Sequence, residues 1–206
     1  MNLCDEFTIR ALLERHGFHF SKSMGQNFLI DPQIPADIAA ASQADETCGV
    51  LEIGPGIGPL TSELAQRAGK VVSIELDRAL LPILAETMAP YSNVEIVPGD
   101  VTRLDLKALI GEKFAGLRPI VCANLPYNIT TPFLTACVEA GCFDSLTVLI
   151  QKEAAQRLTS AKGSADGAFP LRLQYEMETE CLFDVPPEKF LPAPKVTSTV
   201  LRCVRR

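Results

Sequence analysis

Between about residue 30 and residue 160, short continuous apolar runs alternate with stretches of helical spacing. The runs at 49–53, 70–74, 94–97, 119–122 and 146–150 are flanked by turn residues, the pattern of strands buried on both faces of a sheet. Helical spacing predicts helices over 7–16 and 31–41, the second with Asp31 as N-cap and Pro32 at its first helical position. After residue 168 the rhythm changes to two β-rich runs, 171–185 and 196–204, separated by the proline-rich stretch 186–194. Two strands with no helix between them pair antiparallel. The alternation therefore predicts an α/β fold, a mostly parallel seven-stranded sheet with an antiparallel hairpin at its edge. Residues 159–167, with Gly163, Ser164 and Gly167, read as the most mobile loop, and no internal repeat is present.

Composition narrows this picture. With 206 residues, 47% hydrophobic and 21% charged, the chain suits one soluble domain, residues 1–206, in which 1–30 precede the α/β unit as an extension. No apolar run approaches the roughly 18 residues of a membrane span. Asp5 and Glu6 stand where a secretory signal has a basic start, so a cytoplasmic location is expected, without membrane contact. Seven cysteines (Cys4, Cys48, Cys122, Cys137, Cys142, Cys181 and Cys203) include no close pair and read as reduced core residues. His16 and His19 have no cysteine or carboxylate at ligand spacing, so no metal is expected. A net charge of -6 excludes bulk electrostatic coating of nucleic acid. Any RNA contact must be local, with Lys22, Lys152, Arg157, Lys162, Lys189, Lys195, Arg202, Arg205 and Arg206 as candidate anchors.

The first motif with chemistry is Val50-Leu51-Glu52-Ile53-Gly54-Pro55-Gly56-Ile57-Gly58, a strand running into glycines at alternate positions and then a helix. Such a turn lets a ligand lie across the strand end. A dinucleotide loop has its third glycine one position later, G-x-G-x-x-G, so this spacing suits S-adenosylmethionine better. About 20 residues beyond Gly54, Glu75 ends the next strand, the separation expected of an acid that accepts from both ribose hydroxyls. Asp100 ends the third strand and can accept from the adenine amino group of the same ligand. Each acid alone also fits a solvated or capping role; three consecutive strand ends carrying suitable groups favour the joint reading.

The fourth strand ends in Asn124-Leu125-Pro126-Tyr127, which names the reaction. An adenine amino nitrogen is a poor nucleophile because its lone pair is delocalised into the ring. The Asn124 carboxamide oxygen can accept one of its protons and a carbonyl near Leu125 or Pro126 the other, with Pro126 holding the backbone rigid. Tyr127 can stack on a base drawn out of its helix.

At this point the chain resembles the ribosomal RNA adenine dimethyltransferases of the small ribosomal subunit. The match rests on Gly25-Gln26-Asn27-Phe28-Leu29, the Glu52 to Gly58 loop, Asn124 to Tyr127, and Leu182-Phe183-Asp184-Val185-Pro186-Pro187 with Phe190-Leu191-Pro192-Ala193-Pro194-Lys195-Val196. The resemblance implies a Rossmann-like class I methyltransferase in which Asn27, Leu29, Gly54, Gly56, Glu75, Asp100 and Asn124 line the S-adenosylmethionine site. Tyr127 and Phe190 would sandwich the target adenine, joining Asn124, Leu125 and Pro126 in the catalytic set, with Lys22 and Lys195 near the RNA. It further implies dimethylation of two adjacent adenosines near the 3′ end of small-subunit ribosomal RNA, on an immature subunit, by a monomer.

Two departures stand out. The family normally continues into a small helical domain where this chain stops at Arg206, so a catalytic-domain fragment or a shortened chain is expected. The run 163–171, with Phe169-Pro170, also differs from the family's tyrosine-glycine-basic-leucine-serine pattern. Three rival readings stay open on the residues: an amino-methylating enzyme acting on large-subunit RNA or DNA, a non-catalytic ribosome-assembly or transcription binding module, and a nicotinamide-dependent dehydrogenase.

Overall fold

The computed structural model describes residues 1–20, 26–160 and 167–206. Lys22, Gly25 and Lys162 lie outside the described residues, as does most of the loop 159–167. Helix α1 (Glu6–Arg15) opens the chain, capped by Asp5, whose carboxylate accepts from the Thr8 amide. It is followed by β1 (Phe28–Leu29) and α2 (Gln33–Ala41). Four strand–helix units come next: β2 (Cys48–Ile53) with α3 (Pro59–Ala65), β3 (Lys70–Glu75) with α4 (Leu81–Thr87), β4 (Val94–Pro98) with α5 (Leu106–Lys113), and β5 (Arg118–Asn124) with α6 (Thr130–Ala140). The chain ends with β6 (Ser145–Gln151), α7 (Lys152–Thr159), α8 (Ala168–Glu176), β7 (Met177–Val185), β8 (Phe190–Leu191) and β9 (Ser198–Arg205).

The main sheet has seven strands in the order β4-β3-β2-β5-β6-β9-β7, with β9 antiparallel to both neighbours and every other pair parallel. Alternate residues of each strand serve opposite faces. Val50, Ile120 and Cys122 pack with Ile38, Leu60 and Leu64 on one side. Leu51, Val121 and Val148 pack with Leu106, Ile110, Phe133 and Leu134 on the other. Coverage on both faces explains why β2 is buried throughout and reads as an apolar run broken only by Glu52. Strand order reverses between β2 and β5, so a crevice opens above their carboxyl ends, where ligands of open α/β sheets bind. Residues 1–20 and 26–29 are part of this body: Ile9, Leu12, Phe18 and Phe28 form a third core with Leu80, Ile83 and Leu84.

The parallel strands and the antiparallel edge agree with the sequence pattern; three details differ. Residues 171–176 belong to α8 rather than to a strand. Leu171-Arg172-Leu173-Gln174-Tyr175-Glu176 alternates like a strand, yet Pro170 and Leu173 are buried at helical spacing, Arg172 Nε donates to Glu176 at 3.0 Å one turn on, and Gln174 ties the helix to the Leu158 carbonyl at 2.8 Å. Asp31 is not the N-cap: Pro32 stands there, the helix begins at Gln33, and the Asp31 carboxylate accepts from the Gln33 amide at 3.0 Å from one residue before the cap. Finally, Cys181 is exposed on β7 near the sheet edge, so the cysteines are not all core residues. All seven are free thiols, and burial pushes those of Cys4 and Cys203 up to about 12. Among the described residues no helix is long and apolar enough to cross a membrane, and no three metal-ligating side chains cluster. His16 instead shares a hydrogen bond with Glu86 at 2.8 Å.

Candidate functional site

A cavity of about 250 Å³ lies above the carboxyl ends of β2, β3 and β5. It brings together every site residue expected from sequence: Asn27, Leu29, Gly54, Gly56, Glu75, Asp100, Asn124, Leu125, Pro126, Tyr127 and Phe190 all line it. One wall is the glycine turn. Gly54 and Gly56 hold φ of 66° and 62°, left-handed values that side-chain-bearing residues rarely adopt, and a Cβ on Gly56 would crowd the Phe28 ring at 3.2 Å. The turn is stitched to the sheet by the Gly54 amide donating to the Ile74 carbonyl at 2.9 Å.

Two carboxylates at the floor are buried. Glu75 accepts from the Asp77 amide at 2.7 Å and from the amides of Leu76 and Gly56, yet burial outweighs these donors and raises its pKa to about 7. A carboxylate has about four acceptor positions, so capacity remains for a ligand hydroxyl. Glu52, which sequence reasoning left as part of the loop, also lines the cavity. Its Oε2 accepts from Ser73 Oγ at 2.6 Å and Thr61 Oγ1 at 2.7 Å, and burial again lifts its pKa to about 7. Asp100 is more open. Its Oδ1 accepts from Thr102 Oγ1 at 2.7 Å and from the Thr102 amide at 3.0 Å, which holds it below the usual carboxylate range. No lysine, arginine or histidine is among the described residues lining the cavity; Arg103, outside the lining, lies 3.4 Å from Asp100 Oδ2. The lining therefore offers a pyrophosphate no cation, and its negative charge grows as Glu52 and Glu75 ionise near pH 7.

The opposite wall is built from distant pieces. Asn124 ends β5 in register with Leu149, and the Leu125 amide donates to the Leu149 carbonyl at 3.1 Å, extending the ladder to the edge of the site. Pro126 and Tyr127 then turn away into a short 3-10 helix, Tyr127–Ile129. The Tyr127 hydroxyl shares a hydrogen bond with Ser198 Oγ on β9 at 2.7 Å. Phe190 comes from β8, which pairs with β1, so Leu29 and Phe190 sit side by side. Ser198 and the β1–β8 pair were beyond sequence reasoning, since neither has a local signal.

Several candidate RNA anchors are already engaged. Lys152 binds Asp184 at 2.6 Å, Lys189 binds Asp31 at 2.6 Å, and Arg205 Nε donates to the Phe143 carbonyl at 3.0 Å. Arg206 Nε donates to the Gln174 carbonyl at 3.3 Å. Arg157, Lys195 and Arg202 make no side-chain hydrogen bond or ion pair among the described residues.

Comparison with known proteins gives the family and the fold of the chain. The family Ribosomal RNA adenine dimethylase matches residues 17–206. A protein of Ligilactobacillus salivarius named Ribosomal RNA small subunit methyltransferase A is 48% identical, over 93% of this chain and 66% of its own length. One of the same name from Alkaliphilus metalliredigens is 47% identical, over 94% and 68%. The chain thus spans about two thirds of the length of these relatives. The crystal structure of the 23S rRNA methyltransferase ErmE superposes with a TM-score of 0.75 at 32% identity, covering 87% of this chain and 70% of that one. On the family match across residues 17–206 and these identities, the chain belongs to the ribosomal RNA adenine dimethylase family.

Proposed function

We propose that this chain is an S-adenosylmethionine-dependent methyltransferase domain that dimethylates the exocyclic amino groups of two adjacent adenosines near the 3′ end of small-subunit ribosomal RNA. It acts as a cytoplasmic monomer on an immature subunit and needs no metal. The observation that carries the reading is the acidic, glycine-walled cavity abutting the Asn124 to Tyr127 turn. When bound, S-adenosylmethionine supplies a methyl group activated by a positively charged sulfur. Asn27, Leu29, Gly54, Gly56, Glu75, Asp100 and Asn124 hold it, with Glu75 accepting from ribose hydroxyls and Asp100 from the adenine amine. The negative field suits the ligand's charge and counts against the nicotinamide reading, whose pyrophosphate requires donors or cations.

The protein's part in catalysis is positioning and hydrogen-bond acceptance. Asn124 Oδ1 and a carbonyl of the Leu125-Pro126 backbone accept from the target amine, opposing delocalisation of its lone pair into the ring. Tyr127 and Phe190 grip the extruded base from its two faces, repaying the cost of unstacking it. No strong general base is needed, because a newly methylated, cationic amine loses its proton readily. For the second transfer the monomethylated amine re-enters the same pocket. The decisive experiment incubates the protein with labelled S-adenosylmethionine and, in parallel reactions, immature small subunits, large-subunit RNA and DNA, then maps modified bases. Two dimethylated neighbouring adenosines near the 3′ end are expected; label confined to large-subunit RNA or DNA would assign the chain to the rival substrate.

A further inference from the structure

We infer that Ser198 is a positioning residue that fixes the Tyr127 ring for base stacking, so that the antiparallel edge of the sheet sets the geometry of the acceptor pocket. The inference rests on the proposed role of Tyr127 and extends it to a residue outside the cavity lining. Ser198 is fully buried, and its hydroxyl lies 2.7 Å from that of Tyr127, a good O–H···O distance. The strand that carries it is pinned on both sides. Ser198 pairs with Gln151 of β6 and with Val185 of β7. On one flank the Lys152 amide donates to the Thr197 carbonyl at 3.0 Å. On the other, Thr199 Oγ1 donates to Asp184 Oδ1 at 2.6 Å while Lys152 Nζ holds Asp184 Oδ2 at 2.6 Å.

The turn that carries Tyr127 is less secured. No side chain caps the short 3-10 helix, and Thr130 Oγ1 reaches the Pro126 carbonyl only at 3.4 Å. The phenol contact therefore fixes the far end of the ring while the backbone fixes the near end. With both ends of its long axis held, the position of the ring is set before the base arrives. Pre-setting matters because small misplacements of a reacting group cost large factors in rate, about 100-fold for 1 Å. Burial raises the Tyr127 pKa, which keeps the phenol protonated and the contact intact across the working range.

Steady-state methylation of small-subunit RNA, with donor affinity measured by calorimetry, tests this. Ser198→Ala and Tyr127→Phe are each expected to lower kcat about tenfold, the looser fraction of the misplacement cost. Donor affinity should not change, and KM for RNA should change less than kcat. The double variant should be no slower than either single, since both remove the same contact. Tyr127→Ala, which removes the ring, should lose far more. Should Ser198→Ala fail to fold, Tyr127→Phe leaves the strand untouched and carries the test. If both single variants keep kcat within about twofold, or their losses multiply in the double, while Tyr127→Ala is crippled, the positioning role is overturned and the stacking role stands. Unimpaired Tyr127→Ala would instead remove the stacking role itself.

Discussion

The two halves of the cavity are made differently. Most of the proposed donor half is local: Gly54 and Gly56 follow β2, Glu75 ends β3 and Asp100 follows β4, so each of these groups is placed by the few residues before it, while Leu29 arrives on β1. The proposed acceptor half is assembled at long range, with Tyr127 held by a residue 71 positions away and Phe190 placed by pairing of β8 with β1. A strand end of a parallel sheet can present a turn, but it cannot supply both faces of a clamp around a planar base. The second face and the tie for the first come from elements outside the parallel strands. The donor half should therefore survive changes that disable the acceptor half.

Substituting the junction residue gives the largest expected separation of the two. Asn124→Ala should keep measurable donor binding, weakened by no more than about tenfold, the worth of one ordinary hydrogen bond, yet lower methyl transfer at least about 100-fold, the scale of losing one well-placed polar contact to the transition state. Calorimetry beside single-turnover assays checks it; unchanged turnover breaks the assignment. Glu75→Ala should do the reverse, weakening donor affinity roughly tenfold or more, since hydrogen bonds to charged groups are worth about 1.5–3 kcal/mol, while turnover at saturating donor stays near normal. Because burial raises the Glu75 pKa to about 7, its accepting, ionised form fills in as pH rises through that value. Donor affinity should thus climb by up to about tenfold from pH 6 to pH 8, one decade per unit being the limit for a single group, and Glu75→Gln should flatten the climb.

Glu52 sharpens the contrast through stability. Its folded pKa, about 7, lies above the 4.5 of an unperturbed glutamate, so the folded state binds the proton more tightly. The stability this confers is complete below pH 4.5 and is lost as pH rises through about 7. Melting temperature should decline over that window, and less so in Glu52→Gln. The smallest effect is expected at Asp100, whose Oδ1 is already committed to Thr102 and which is partly open to water. Asp100→Ala should weaken the donor only about two- to tenfold, the worth of one ordinary hydrogen bond; a loss as large as that at Glu75 would mean the two acids share one task.

What could be read from the sequence follows the same division. Strands β2, β3, β5 and β6 announce themselves because burial on both faces leaves mostly apolar runs, the half-buried β4 does so more weakly, and Gly54, Glu75 and Asp100 stand at the strand ends. Asn124 to Tyr127 was recognisable by its chemistry, and Phe190 only by resemblance. Ser198 gave no signal, since a serine opening a strand is unremarkable until its partner is placed. The two-residue strands β1 and β8 are too short for periodicity to register. The α8 segment misled because its alternation mimics a strand, while its helix is stabilised by packing on α7 and by the Arg172–Glu176 pair.

The central claim is that the acidic crevice above β2, β3 and β5 receives a cationic adenosyl ligand. Its most direct test is a calorimetric titration of the protein with S-adenosylmethionine and, separately, with NADH. The account predicts saturable one-to-one binding and a raised melting temperature with the first and neither with the second. Binding of NADH with no affinity for S-adenosylmethionine would contradict it.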